Sequence, residues 1–397
     1  MHILFVHRSG SGQFAALIAS LVARGDEVTL ITERPAPEQP GLRQLAYTVG
    51  DASTQHPALA ATDYHLRTGE AVAGLMARLG ADDPPEVVIG HTGWGGLLFA
   101  RDALPDAALL GYCEYYYRSS GSDFDFGAIE PISQAERQRI RMRNAAQLVA
   151  LDGLDAAYAP TQWQRQQYPA PYRPRIGVCH DGIDIASCRP DSQARFTLPD
   201  GRELRPGAPV VTFVARDLDP YRGYPQFMRA AARLAQDDPG LIFVVVGGDG
   251  PGYGRPREDG RLWREAMLAE TELAERVVHI PWLPHESLVR LFQVSAAHVY
   301  LTVPFVLSWS LLEAMACGCL VVASDTPPVQ EAIRDGVNGL LAPFDAPAIL
   351  AQRIAEALRR PQGMASLRRA ARETVRAGYA RELCVDRQIG WIHRLAG

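Results

Sequence analysis

The sequence predicts an α/β protein of two doubly wound, parallel-sheet domains facing a central cleft, and three observations predict it. Short apolar runs alternate with amphipathic helical stretches through the first half, the rhythm of a parallel sheet covered on both faces. The rhythm restarts after residue 205. Between the two series, residues 180 to 209 (HDGIDIASCRPDSQARFTLPDGRELRPGAP) are rich in Gly, Pro and Asp and hold no sustained period, so the joint is expected there. This gives domains at 1–185 and 186–378, with 379–397 as a last helix returning to the first domain.

Composition narrows the classes. At 397 residues the chain exceeds one ordinary core. Its 40 basic and 45 acidic residues are mixed and leave a formal charge of −5, so no nucleic-acid partner is expected. Cys113, Cys179, Cys188, Cys317, Cys319 and Cys384 show no Cys-x-x-Cys pair and no flanking His ladder. That argues against structural zinc and for a reduced, cytoplasmic chain. The start, MHILFVHRSG, reads as a first strand rather than a leader, and no run reaches membrane-spanning length.

In the first half HILFV, EVTLIT, EVVIGH, ALLGYC and AAYAPT are expected strands, with helices such as QFAALIASLVARG between them. The first turn, GSGQFA, has the spacing G-x-G-x-x-A, and Glu33 lies near the end of the next run. Both are features of a dinucleotide-binding unit of Rossmann type, so an oxidoreductase is one reading.

In the second half the expected strands are PVVTFVAR, LIFVVVGG, VVHIPWL, AAHVYLT and CLVVASD. The stretch FVARDLDPYRGYPQFMRAAARLA places Arg216 and Arg222 on one strand-to-helix loop. Two planar forks beside a helix N-terminus suit a diphosphate; the alternative is local pairing with Asp217 and Asp219. One unit later VVVGGDGPGYG, with Gly248, allows close backbone approach. In VPFVLSWSLLEAMACGCLVVASDTPPVQEAI, Ser308 and Ser310 can cap a helix whose core face is Leu311, Leu312 and Met315, and Gly318 ends it. Glu313 is expected in the first turn. Either Ser310 and Glu313 form a capping box, or Glu313 holds a ribose hydroxyl pair while amides around Ser308 and Trp309 face a phosphate.

LLEAMACGCLVVASD followed by EAIRDGVNGLL, with Arg216 and Arg222 upstream, resembles the donor site of family 4 retaining glycosyltransferases of the GT-B fold. GSGQFAALIASLVARGDEVTLIT, CHDGIDIASCRP and VVHIPWLPHESLVRLFQVSAAHVYLT resemble other segments of that family in order, and HTGWGGLLFARDALPDAALLGYCEYYY a bacterial subgroup of surface-polysaccharide assembly. The resemblance implies two Rossmann-like domains, the first for acceptor and the second for donor. It implies that Arg216 and Arg222 neutralise the diphosphate, that Glu313 holds ribose, and that backbone near Trp282 and Leu283 meets the base. It also sets Gly12 and Gln13 of the first loop against the donor phosphates, leaving Glu33 a surface strand end.

Two positions depart from the family pattern. Phe305 stands where a glutamate usually contacts the donor sugar, and a phenyl ring accepts no hydroxyl hydrogen bond. Glu114 stands where many relatives have a histidine facing the sugar. A carboxylate there can accept a proton or stabilise positive charge at the anomeric carbon; the alternative is a buried carboxylate satisfied by Tyr115, Tyr116 or Tyr117. His91, ending EVVIGH, is a weaker candidate beside it.

The Asp-x-Asp in DFDFG, residues 123 to 127, and Asp217-Leu218-Asp219 lack the context of a metal or kinase site. ERQRIRMRN carries Arg137, Arg139, Arg141 and Arg143, read as a solvated helix or as a contact with an anionic membrane face. The expected activity is metal-independent hexosyl transfer, with no cofactor, from a UDP- or GDP-sugar to a hydroxyl acceptor such as a lipid-linked glycan. The rivals are a sugar-nucleotide epimerase or hydrolase, a non-catalytic binding protein, and the oxidoreductase.

Overall fold

The run HILFV lengthens into strand β1 (His2–Ser9), which alternates its side chains between two helical layers. Ile3 and Phe5 pack with Leu17, Ile18 and Leu21 of the helix Ala15–Ala23, and with Ile389 and Ile392 of the last helix, Arg381–Ala396. Leu4 and Val6 pack on the other side with Val72 and Met76 of the helix Ala60–Asp82. The computed structural model describes residues 1–50, 56–128, 130–254 and 256–397, which divide into two units: Met1–Gly182 with Arg381–Gly397, and Ile183–Ala380.

The first unit carries β1, β2 (Glu27–Arg34), β3 (Leu42–Ala46), β4 (Val87–His91), β5 (Ala108–Tyr112), β6 (Ala156–Ala159) and β7 (Ile176–Val178). They form one parallel sheet in the order β3-β2-β1-β4-β5-β6-β7. The five apolar runs are the five central strands. The two edge strands, LRQLA and IGV, escaped the sequence reading because an edge strand is half covered and carries a weaker apolar signature.

The second unit opens with a short antiparallel pair, β8 (Phe196–Thr197) and β9 (Glu203–Leu204). Phe196 and Leu204 cover a core of Val210, Val244, Val246 and Leu291. Its main strands are β10 (Val210–Asp217), β11 (Ile242–Gly248), β12 (Val277–Ile280), β13 (Ala297–Tyr300), β14 (Val321–Ser324) and β15 (Leu340–Ala342). All pair parallel, in the order β12-β11-β10-β13-β14-β15. The Val-rich runs of β10 and β11 are buried on both faces, which is why they lack a polar alternation.

Each sheet is therefore doubly wound about one strand, β1 or β10. The chain leaves that strand toward one edge and later returns on its other side, at β4 or β13. Connections diverge at such a switch point and leave a crevice beyond the carboxyl ends of the strands. Gln13, Glu114 and Arg222 follow β1, β5 and β10 at that edge of their own sheets.

Candidate functional site

In the second unit, β10 ends in Arg216 and Asp217, and Pro220–Arg222 form one 3-10 turn before the helix Tyr224–Asp237. Gly223 links them at φ 70°, and a Cβ there would lie 2.4 Å from Leu301, so the tight passage requires glycine. This turn carries the Arg222 guanidinium to the end of β13. Its Nη1 donates to Tyr300 Oη at 3.2 Å, Thr302 Oγ1 at 3.0 Å and the Val306 carbonyl at 3.0 Å. All three acceptors are neutral, and Nε and Nη2 have no protein acceptor among the described residues. A buried cation without a counter-charge is costly, so this is a place prepared for an anion.

Arg216 behaves differently. It is 70% exposed and rests on Asp217 at 3.1 Å. The local-pairing alternative thus holds for Arg216 and fails for Arg222, since Asp219 takes the Arg222 backbone N–H rather than its side chain. The Tyr253 ring gathers both guanidiniums, with Arg216 at 5.0 Å and Arg222 at 5.4 Å from its centroid. Phe305 completes this aromatic wall, 4.9 Å from Tyr253 and 5.8 Å from Tyr221, with Arg222 at 5.7 Å.

The glycine loop after β11 is pinned by the two aspartates. Asp217 Oδ1 accepts from Gly250 N–H at 3.1 Å, and Asp219 Oδ2 from Tyr253 N–H at 2.6 Å. Gly248 touches this arrangement, a Cβ there lying 3.2 Å from Asp217 Oδ1. Asp217 and Asp219 are thus spent as loop acceptors. Asp123 and Asp125 are spent likewise, on Tyr115 Oη and on the Gly121 and Ser122 amides.

The glutamate helix runs Trp309–Ala316 with Ser308 as its N-cap. Glu313 therefore stands in the second turn, not the first. The capping-box alternative fails, because the Glu313 carboxylate accepts from His285 Nε2 at 2.8 Å instead of reaching back to Ser310. His285 opens the helix His285–Val294. Its pKa is raised to about 10, first by the Cys188 thiol and then by Glu313. The Ser308 amide donates to Tyr300 Oη at 2.8 Å and is closed to a phosphate. Trp309 is 41% exposed. After β12, Trp282 is exposed and Leu283 packs toward the core.

In the first unit the switch point is built around Glu114, just past β5 and 29% exposed. Gln13 Nε2 donates to its Oε1 at 2.9 Å, and His91 Nε2 lies 3.1 Å from its Oε2. Hydrogen-bond logic assigns the protons. His91 Nδ1 accepts from Gly93 N–H at 2.9 Å, so Nε2 carries the proton toward Glu114. Gln13 gives its amide nitrogen to the carboxylate, so its oxygen accepts from His7 Nε2 at 2.7 Å. Burial alone would raise the Glu114 pKa, but His91 and Gln13 outweigh it and hold the carboxyl below its usual value. Gln13 and His91, rather than a tyrosine, satisfy the Glu114 carboxylate among the described residues, and Tyr115 Oη donates to Asp123 instead.

The first loop owes its glycines to the protein itself. Gly12 has φ 47°, and a Cβ there would lie 1.9 Å from the His7 ring. Glu33 is not a free surface strand end, for it is half-buried and bound by Arg8 Nε at 3.0 Å and Tyr64 Oη at 2.7 Å. That engages the acidic residue on which the dinucleotide reading depended. On the helix Gln134–Arg143, Arg137 and Arg141 share a face, Arg139 pairs with Glu136, and Arg143 lies 3.8 Å over the Tyr117 ring.

Residues the sequence reading missed are those recruited from far along the chain: Tyr300 and Thr302 under Arg222, Tyr253, His285 beside Glu313, and His7 behind Gln13. Tyr300 and Thr302 were findable, because the strand after the switch must end beside the loop of the strand before it. His285 has no sequence signal of this kind. Among the described residues no helix is long and apolar enough to cross a membrane.

Residues 24–188 match the family model Glycosyl transferase family 4 group, and residues 196–374 match Glycosyl transferases group 1. D-inositol 3-phosphate glycosyltransferase of Nocardia farcinica is 33% identical over 222 residues, 55% of this chain and 44% of the relative. The protein of the same name from Mycobacterium ulcerans is 37% identical over 172 residues, 42% of this chain and 34% of the relative. These alignments span less than half of each relative's length. Over 99% of the chain the fold is similar to sucrose-phosphate synthase from Thermosynechococcus elongatus, with TM-score 0.72, 19% identity and 98% of that chain covered. It is similar to Anabaena HepE, solved in complex with UDP and glucose, with TM-score 0.70, 17% identity and 99% coverage of each chain. Two family models laid end to end, over two doubly wound sheets that match GT-B structures, place this chain in the family 4 group of GT-B glycosyltransferases.

Proposed function

We propose that the chain is a retaining, metal-independent hexosyltransferase that moves a sugar from a nucleoside-diphosphate sugar to a hydroxyl acceptor in bacterial polysaccharide or glycoconjugate assembly. The observation that carries the reading is Arg222, buried, held by three neutral acceptors and left with free N–H donors. A diphosphate supplies the missing charge, and it gains negative charge as the glycosidic bond breaks, so the guanidinium stabilises the transition state more than the ground state. Exposed Arg216 is free to exchange Asp217 for a phosphate oxygen. Glu313, with only His285 on its carboxylate among the described residues, retains an acceptor for a ribose hydroxyl. The UDP and glucose bound by HepE support this class of donor.

In the first unit we assign Glu114 an electrostatic role. A carboxylate held below its usual pKa by two donors is a weak base and a good partner for positive charge at the anomeric carbon. A phosphate-bearing acceptor is a second reading of this side. Arg118, Arg137 and Arg141 line a cavity of about 470 Å³ with Tyr116 and Tyr117, and the curated relatives are named for an inositol phosphate.

A thermal-shift panel of UDP, GDP, ADP, TDP and NADH tests the donor class. One nucleoside diphosphate is expected to stabilise the protein and NADH is not. Arg216→Ala is expected to lower transfer, less than loss of Arg222 does, without lowering the melting temperature; full turnover in that variant removes Arg216 from the diphosphate site. Free sugar or an altered sugar formed from donor alone favours hydrolysis or epimerisation, and binding without turnover favours a binding protein.

A further inference from the structure

We propose that Cys188, Cys317, His285 and Glu313 form a site for one thiophilic divalent cation of the Zn²⁺ type, and that filling it withdraws Glu313 from the nucleotide. The second clause rests on the ribose reading of Glu313; the first stands without it.

Three stretches of the second unit meet here. Asp184 accepts the Ala186 and Ser187 amides at 3.0 and 3.2 Å, and the turn so formed delivers Cys188. His285 begins one helix. Glu313 and Cys317 lie four residues apart on the next, and so on the same face. One ligand atom each from Cys188, His285 and Glu313 fall within 4.8 Å of one another. A tetrahedral zinc site with bonds near 2.0–2.3 Å needs ligand separations of about 3.3–3.8 Å, so a shift of about an ångström closes the set. Cys317 lies outside that group of three and, one helical turn beyond Glu313, is the candidate fourth donor.

The chemistry of the set agrees with its geometry. Two sulfurs, one imidazole and one carboxylate are the donors that zinc and cobalt prefer. Cys188 is fully buried, which suits a cation better than nucleophilic attack on a bulky substrate. His285 is 55% exposed and gives the ion a way in.

Co²⁺ serves as the probe, titrated into the reduced full-length protein. One equivalent is expected to produce a thiolate-to-cobalt charge-transfer band with visible ligand-field bands, bleached by Zn²⁺. Cys188→Ala and Cys317→Ala are expected to lose the band, and Cys384→Ala, in the other unit, to keep it. Should a core cysteine variant unfold, His285→Gln at the surface end of its helix is expected to weaken the band. No thiolate band in the wild type, or a band that survives Cys188→Ala, overturns the site. For the coupling, one equivalent of Zn²⁺ is expected to raise the apparent Kd for UDP by roughly tenfold or more. Unchanged UDP affinity with the metal bound overturns the coupling. UDP that fails to bind the metal-free protein counts against the nucleotide reading instead.

Discussion

The switch point of the first sheet gathers a carboxylate and that of the second a guanidinium, although both sheets wind in the same strand order. Around Glu114 every neighbouring donor is aimed inward, from His7 through Gln13 and from His91, so the charge is met by the protein itself. Around Arg222 the described residues supply neutral oxygens and two aromatic rings, with no counter-charge, and leave the charge for something else to meet. Topology chooses where a ligand sits; the balance of charge at that place decides which site is preorganised and which awaits an anion.

Breaking the awaiting site should have the largest effect. Arg222→Met is expected to lower kcat with a nucleotide-sugar donor by about 10²- to 10³-fold. Arg222→Lys should recover only part of that, because an ammonium lacks the planar fork. If Arg222→Lys matches the wild type in a coupled assay of diphosphate release, the fork is not what the site uses. Breaking the self-satisfied site should have the next largest effect. Glu114→Gln is expected to cost about 10²-fold in transfer while calorimetry of UDP binding shows no change, since Gln13 and His91 of the first unit hold its carboxylate. A weakened UDP affinity there would contradict the division of labour.

Two glycines sharpen the contrast at the level of stability. Gly252 has φ 58°, and a Cβ there would lie 2.0 Å from Asp219 Oδ2. Gly252→Ala is therefore expected to destabilise by about 1–3 kcal/mol in urea unfolding and also to raise the donor KM, because Asp219 holds the Arg222 turn. Gly12→Ala is expected to cost a similar amount through the His7 ring and to leave the donor KM unchanged. Equal KM effects from the two would erase the distinction.

A further contrast is with pH. Burial lowers His180 to about 4, burial and then the charge of His91 lower His65 to about 4, and burial lowers His298 to about 3. Each stays neutral in the fold while the unfolded chain takes up a proton below about 6.5. Stability present above that pH is therefore lost as pH falls toward 4, by about 1.4 kcal/mol per pH unit for each histidine. Two of the three lie in the first unit, so scanning calorimetry should show that unit failing first in acid. His298→Gln should flatten the response of the second unit alone.

Much of this architecture is legible in the residues. The central strands are continuous apolar runs because both faces are covered, and the positions of Gly12, Gly223 and Gly252 mark sharp turns at strand ends. The loops holding Arg222, Glu313 and Glu114 follow from that pattern. The edge strands β3 and β7 and the β8–β9 pair did not, since short or half-covered strands carry little periodicity. Glu313 shows the limit most clearly: Ser310-Leu311-Leu312-Glu313 spells a capping box, yet a histidine 28 residues upstream takes the carboxylate. Local grammar proposes a partner, and packing supplies another that is better placed.

What the chain determined by itself is the alternation that winds two sheets and the loops that leave their carboxyl edges, because burial and backbone geometry act over a few residues. What only the tertiary structure decided is the pairing: Gln13 with Glu114 across 101 positions, Arg222 with Tyr300 across 78, and Cys188 beside His285 and Glu313. A hydrogen bond or a ligand set between distant residues leaves no periodic trace, since it depends on where two loops end in space rather than on what either loop spells.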